Sequence, residues 1–197
     1  MKSIHKLVLV LACASTLTAC VPAVRTYVDP QYHHATYDTV HRLEQPIPVK
    51  VDAQFEVNGA PRPAADTLLQ THVLQVLRAS GVLIPTDSPV ATSEISVLAN
   101  DLADIGSART KGFGTGLTFG AVGSVVPDNY EFTITYRGIG ATKYQGTYQH
   151  RLITTMGHAD GPAFAVPTTP DEGFRQVVED ALLNFIQDMQ DKGVVPK

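Results

Sequence analysis

The chain has 197 residues, a formal net charge of −4 and only two cysteines. This length suits one domain with a substantial core. The acidic balance argues against nucleic-acid binding and against broad electrostatic binding to anionic lipid. Both cysteines lie within the first 20 residues, so the rest of the chain has neither a disulfide framework nor a cysteine-ligated metal centre.

The first 20 residues have the organisation of an export signal. Lys2 and Lys6 precede an apolar run over residues 7–14, and small residues lead up to Cys20. The run is much shorter than the roughly 20 residues that span a bilayer as a helix. Leu17-Thr18-Ala19-Cys20 resembles the lipobox of bacterial lipoproteins. The alternative is an ordinary signal peptide with a chance cysteine.

The lipoprotein resemblance implies cleavage between Ala19 and Cys20, with acyl chains such as palmitate attached to Cys20. Each buried methylene contributes roughly 0.8 kcal/mol, and more than one chain makes membrane anchoring stable. Val21 follows the cysteine in place of the aspartate that retains some lipoproteins at the inner membrane. The resemblance therefore implies an outer-membrane protein facing the periplasm. Removal of residues 1–19 leaves 13 basic and 19 acidic residues.

Three regions follow from this organisation. Residues 1–19 are the predicted signal peptide. Residues 20–45 contain Val21-Pro22 and Asp29-Pro30 and lack sustained periodicity, which predicts a lipidated N-terminus followed by a flexible tether. Residues 46–197 are predicted to form a single periplasmic domain.

The first part of this domain alternates strands with a helix. Apolar and polar residues alternate from Val49 to Val57, which predicts a half-buried strand. Apolar residues at helical spacing follow Pro63 and predict an amphipathic helix that ends at Ser80-Gly81. Short strands are predicted at residues 82–84 and 94–103.

The second part predicts a hairpin and a C-terminal helix. Strands over residues 130–136 and 142–154 flank a glycine-containing turn. Thr169-Pro170-Asp171-Glu172 provides an N-cap, a first-turn proline and a glutamate that can return the cap hydrogen bond. An unbroken apolar stripe then runs to Lys192-Gly193. The pattern predicts an α+β fold, a mainly antiparallel sheet with two amphipathic helices packed on one face.

Gly112, Gly116 and Gly120 repeat at four-residue spacing within an apolar stretch. On a helix, this spacing makes a flat stripe that allows close backbone approach. Each glycine costs roughly 1 kcal/mol relative to alanine in an aqueous helix, which favours a connection packed on the core. A membrane-apposed or partner-binding segment is the alternative, and these glycines are then the candidate interaction residues.

The polar residues show no metal or catalytic signature. The histidines are scattered, and His33, His34 and His41 would share a metal only if the tether folded back. His158 and Asp160 form a candidate general-base pair within a sequence that is more typical of a turn. The sequence therefore predicts no catalytic residue, no metal ligand and no cofactor.

Four acidic residues flank the glycine-rich stretch: Asp101, Asp104, Asp128 and Glu131. They form either a paired-carboxylate site, if the fold brings them together, or a solvated rim.

We expect a non-enzymatic lipoprotein that binds another envelope component, a protein partner, in an assembly or transport-accessory role. Two alternatives stay open. One is an envelope hydrolase that uses the loop at residues 157–162. The other is a structural oligomer built through the glycine-rich segment. Architecture does not decide among them.

Overall fold

The computed structural model describes residues 24–103, 123–138, 140, 143–163 and 165–197. These residues form one sheet and two helices, which confirms the predicted α+β class. The elements, in chain order, are β1 (Val24–Val28), β2 (Ile47–Val57), β3 (Ala60–Pro61), α1 (Pro63–Ser80), β4 (Leu83–Pro85), β5 (Ser93–Asp101), β6 (Ser124–Arg137), β7 (Lys143–Met156) and α2 (Pro170–Asp191). A 3-10 turn at Pro30–Tyr32 follows β1.

The seven strands have the order β1-β7-β6-β5-β2-β3, and β4 pairs with β2. The pairs β1–β7, β7–β6, β6–β5 and β2–β3 are antiparallel, as predicted for most of the sheet. The pairs β2–β4 and β2–β5 are parallel. Because α1 carries the chain from the end of β2 back to its beginning, the next strands run in the same direction as β2.

The core lies between the sheet and the two helices, which pack on each other as well as on the strands. Along β5, Ile95, Val97 and Ala99 are at most 1% exposed, and they alternate with half-buried residues, of which Leu98 is apolar and the others are polar. In α2, Phe185 and Ile186 are fully buried. The predicted amphipathic stripes therefore provide the contacts between the layers.

Local residues determine where α1 ends and where α2 begins. Gly81 ends α1 with a left-handed φ of 69°, a conformation that L side chains rarely adopt. At the start of α2, the Thr169 hydroxyl accepts a hydrogen bond from the Glu172 amide at 3.3 Å. The prediction that the Glu172 side chain returns a hydrogen bond to the N-cap is wrong. Its carboxylate instead accepts hydrogen bonds from Arg175 and Gln176.

The prediction of a flexible tether is wrong for residues 24–45. Residues 24–28 form strand β1, which pairs with β7. On the edge of β1 away from β7, Thr26 makes two backbone hydrogen bonds with Thr168. Ala35 and Val40 are buried in the core, at 1% and 4% exposure. The segment lacks periodicity because it is held by individual side-chain contacts rather than by a regular amphipathic face.

The predicted lipidation and cleavage residues, Cys20 and Ala19, lie outside the described residues. So do Gly112, Gly116 and Gly120. Within the described ranges, neither helix is long and apolar enough to cross a membrane.

Candidate functional site

The polar side of α2 holds the N-terminal segment through side chains spaced along the helix. Asn184 accepts a hydrogen bond from the Ala35 amide at 2.8 Å and donates one to the Tyr32 carbonyl at 3.1 Å. Gln190 contacts the His41 backbone in the same way, accepting from its amide at 3.0 Å and donating to its carbonyl at 2.6 Å. An amide side chain can accept from one backbone N–H and donate to one backbone C=O, so these two residues bind backbone irrespective of its sequence.

Asp180 lies at the centre of this interface and joins two histidines. One carboxylate oxygen contacts Nδ1 of His33, and the other lies 2.9 Å from Nε2 of His150. The side chains of Asp180 and His150 are 6% and 1% exposed, whereas that of His33 is 46% exposed. The Tyr32 ring covers His150 at a centroid distance of 5.2 Å.

The hydrogen bonds assign the tautomers of both rings. Nδ1 of His150 accepts from the Arg151 amide at 2.8 Å, so Nε2 carries the proton that it donates to Asp180. His33 donates from Nδ1, and its Nε2 has no hydrogen-bond partner among the described residues. The His33 side chain is 46% exposed, so Nε2 is the nitrogen of this cluster with which a ligand could form a hydrogen bond.

His33 lines a surface groove of about 370 Å³ between β1, α2 and the loop that precedes α2. Both apolar and charged residues line this groove: Val28, Pro30, His33, Ala165, Val166, Arg175, Gln176, Glu179 and Asp180. Val166, at the rim, is 85% exposed. The groove thus combines an imidazole nitrogen that has no hydrogen-bond partner in the described part of the chain with an accessible apolar side chain.

Arg175, which lines the groove, is paired with two carboxylates of α2. Arg175 donates to Glu172 through two nitrogens, at 2.8 and 2.7 Å, and to Glu179 at 2.6 Å. Hydrogen bonds from Arg175 and then Gln176 lower the pKa of Glu172 to about 2. Burial, followed by the charge of Glu179, raises the pKa of Tyr37 to about 12. Arg175 is therefore a weak anchor for an anionic ligand, because its donors already serve two carboxylates.

The chemical capacity of the groove follows from these residues. None of the described residues that line it is a serine, threonine or cysteine. A reaction here would depend on water activated by His33, since a nucleophilic side chain is missing from that set. No cluster of three metal-ligating side chains occurs within the described ranges.

The candidate pair His158 and Asp160 lies in an exposed turn after β7. Within that turn, a Cβ on Gly161 would lie 2.1 Å from the Tyr27 ring, so the turn packs tightly over β1. The turn covers the face of the sheet opposite the helices, away from the core.

Two of the four candidate carboxylates come together. Asp101 on β5 and Asp128 on β6 interact electrostatically, and Oδ1 of Asp101 is buried with no hydrogen-bond partner among the described residues. Burial, followed by the charge of Asp128, raises the pKa of Asp101 to about 6. Glu131 points to the opposite face, because it lies three residues after Asp128 on one strand. Asp104 lies outside the described residues.

The sequence did not reveal the three residues of the His33–Asp180–His150 cluster as a unit. They come from the N-terminal segment, α2 and β7, and 147 and 30 residues separate the two histidines from Asp180. The one local signal was Asp180 itself, an acidic residue beside the apolar stripe of α2. Such a residue is usually solvated, so its position alone does not indicate a partner.

Comparisons with known proteins do not assign a family. No protein-family model matches the chain, and no curated protein matches it. Among solved structures, the chain is similar to a PelC dodecamer from Paraburkholderia phytofirmans at 10% identity and a TM-score of 0.37. That match covers 84% of this chain and 98% of the PelC chain. A likeness at this level transfers neither a function nor a partner.

Proposed function

We propose that this protein is an outer-membrane lipoprotein whose periplasmic domain binds another envelope protein in an assembly or transport-accessory role. The observation that carries the proposal is the lipobox-like Leu17-Thr18-Ala19-Cys20, followed so closely by a strand of the domain. Only residues 21–23 separate Cys20 from Val24, where β1 begins. An anchor at Cys20 would therefore hold the folded domain at the membrane surface.

The groove beside α2 is the proposed binding site for that partner. Protein interfaces combine apolar side chains with polar groups that are already positioned by neighbouring contacts. Val166 provides the exposed apolar side chain, and Asp180 fixes the orientation of the His33 ring. The paired charges around Arg175 favour a polypeptide over a small anion, because they leave no unpaired cation for the anion to neutralise.

In-cell photo-crosslinking tests this site. A photoreactive amino acid at Val166 should give a discrete cross-linked species in intact cells. Val90 is the matched control, because it is a valine of similar exposure, 82% against 85%, in a loop outside the groove. The same adducts from both positions, or none from Val166, would contradict binding in the groove.

Hydrolysis is the second candidate function, and the His33 geometry favours it. A buried carboxylate orients an imidazole whose other nitrogen faces no described partner, the arrangement that general-base catalysis requires. This candidate uses His33 rather than His158. Hydrolysis of ester or phosphoester probes by the wild-type protein, abolished in His33→Gln, would favour it. Unchanged hydrolysis in that variant, or none in the wild type, would count against it.

A further inference from the structure

One end of the sheet is formed where β1 begins, β7 ends and β6 begins. Val24 pairs with Met156, which pairs on its other side with Ser124. We call the last two residues of each strand at this end the sheet tip: Val24, Arg25, Ser124, Val125, Thr155 and Met156. Val24 and Val125 are 46% and 44% exposed, so two valines of the tip lie outside the core.

The charge of the sheet tip differs from that of the whole chain. Arg25 is exposed, and the six residues of the tip include no acidic side chain. The whole chain has more acidic than basic residues, 19 against 15. A cationic and partly apolar surface on an acidic protein suits contact with anionic phospholipid headgroups.

The chain length places this tip at the membrane, an argument that rests on the proposed anchor. Val24 follows Cys20 by four residues, and four extended residues span at most about 14 Å. Because β1 is hydrogen-bonded to β7, Val24 cannot separate from the domain to lengthen the connection. An acylated Cys20 therefore keeps Val24 within about 14 Å of the lipid-bearing residue, and the tip stays close to the bilayer.

We propose that the sheet tip lies against the phospholipid headgroups of the membrane that holds Cys20. The turn after β7 limits how deeply the tip enters the membrane. A Cβ on Gly123 would lie 2.3 Å from the Ala159 amide nitrogen, so the turn packs beside the tip. This turn also carries the exposed side chains of His158 and Asp160. The tip contacts headgroups rather than hydrocarbon, since burying Asp160 would be costly.

The contact also orients the domain. Strands β6 and β7 each have 14 residues and run from the tip to the hairpin turn, a length of about 45 Å. The hairpin end therefore points away from the bilayer. The groove, beside Val28 at the far end of β1, stands above the headgroups and faces the aqueous phase.

Site-specific labelling of the full-length lipidated protein tests this orientation. After processing, the chain has no cysteine besides the acylated Cys20, so one introduced cysteine gives a single labelled site. Val125→Cys reports on the tip, and Gln145→Cys, exposed near the hairpin turn, is the matched control. Each variant is labelled with an environment-sensitive fluorophore and reconstituted into vesicles of phosphatidylethanolamine and phosphatidylglycerol that contain a headgroup-attached quencher. Val24→Cys, at a residue that is 46% exposed, provides a second site on another strand of the tip and leaves Arg25 in place.

The proposal predicts a loss of fluorescence at Val125→Cys and Val24→Cys that Gln145→Cys does not show. Equal fluorescence at all three sites, in protein whose mass shows acylated Cys20, would overturn the orientation and leave the anchor intact. Protein whose mass shows no acyl chains and that does not bind the vesicles would overturn the anchor, and the tip contact with it.

Discussion

The two sides of helix α2 perform different tasks. The apolar side packs on the sheet and on α1 through residues such as Phe185 and Ile186, both fully buried. The polar side holds residues 32–41 because Asp180, Asn184 and Gln190 accept hydrogen bonds from His33, Ala35 and His41. Asp180 and Gln190 are only 4% and 3% exposed. Helix α2 is therefore a central element of the domain, because the N-terminal segment covers the side that an amphipathic helix usually exposes.

Truncation of Phe185, on the apolar side of α2, should cause the greatest loss of stability. Phe185→Ala removes a fully buried ring that packs against Tyr144 and Tyr148. It should lower the free energy of unfolding by about 3–5 kcal/mol, through lost burial and the cavity left behind. Urea unfolding of residues 21–197 measures the change. A loss below about 1 kcal/mol would show that the stripe contributes little to this core.

The next largest effect tests the polar side at Asp180. Asp180→Ala leaves the buried His150 ring without its acceptor and should cost about 2–4 kcal/mol. His33→Ala is the matched control: the side chain of His33 is 46% exposed, and its removal leaves the bond between Asp180 and His150 in place. The same urea unfolding should give a smaller loss for His33→Ala than for Asp180→Ala. The reverse order would contradict the role of Asp180 as the buried centre of the cluster.

A smaller effect is expected where α2 binds backbone groups. Asn184→Ala removes hydrogen bonds to Ala35 and Tyr32 and should cost about 1–2 kcal/mol. Amide hydrogen exchange at Ala35 should also accelerate. Gln187→Ala provides the control, because Gln187 accepts its hydrogen bond from the exposed Thr39 hydroxyl and not from Ala35. Equal exchange rates at Ala35 in wild type and Asn184→Ala would show that this bond does not hold the segment.

Asp101 has a buried carboxylate oxygen with no hydrogen-bond partner among the described residues. Its raised pKa of about 6, against a usual 3.8, means that the folded protein binds the proton more tightly than the unfolded chain. The ionised carboxylate therefore destabilises the fold above pH 6, and this penalty fades as the pH falls towards 4. Asp101→Asn should stabilise the protein at pH 7.5 by about 1 kcal/mol, a value reduced for partial solvent screening.

Urea unfolding at pH 7.5 and pH 4 checks the Asp101 prediction. The difference between Asp101→Asn and wild type should shrink at the lower pH. Asp87→Asn, at an exposed carboxylate in a loop, should show no such pH-dependent difference. A destabilised Asp101→Asn at pH 7.5 would indicate that the carboxylate has a partner on which the fold depends.

Periodicity explains why some of these elements were predictable. Alternation over Val49–Val57 and the stripe through Phe185 reflect burial on one face, which leaves a repeating pattern in the sequence. Strand β1 has only five residues, and it was missed. Its Thr26 is buried by tertiary contacts with Thr154 and Thr168, which produce no local repeat.

The candidate site was harder to predict for a different reason. His33, Asp180 and His150 are brought together by the topology, in which the N-terminal segment crosses α2 and β7 lies beneath the same helix turn. Asp180 has the sequence environment of a solvated helix residue. Only the fold shows that two imidazoles contact its carboxylate.

In the function proposed above, acyl chains on Cys20 anchor this domain at the outer membrane. Metabolic labelling with a fatty acid, followed by membrane fractionation, compares wild type with Cys20→Ala. We expect labelled wild-type protein in the outer-membrane fraction, and an unlabelled variant that is left unprocessed or released. Fatty-acid labelling that persists in Cys20→Ala would contradict it.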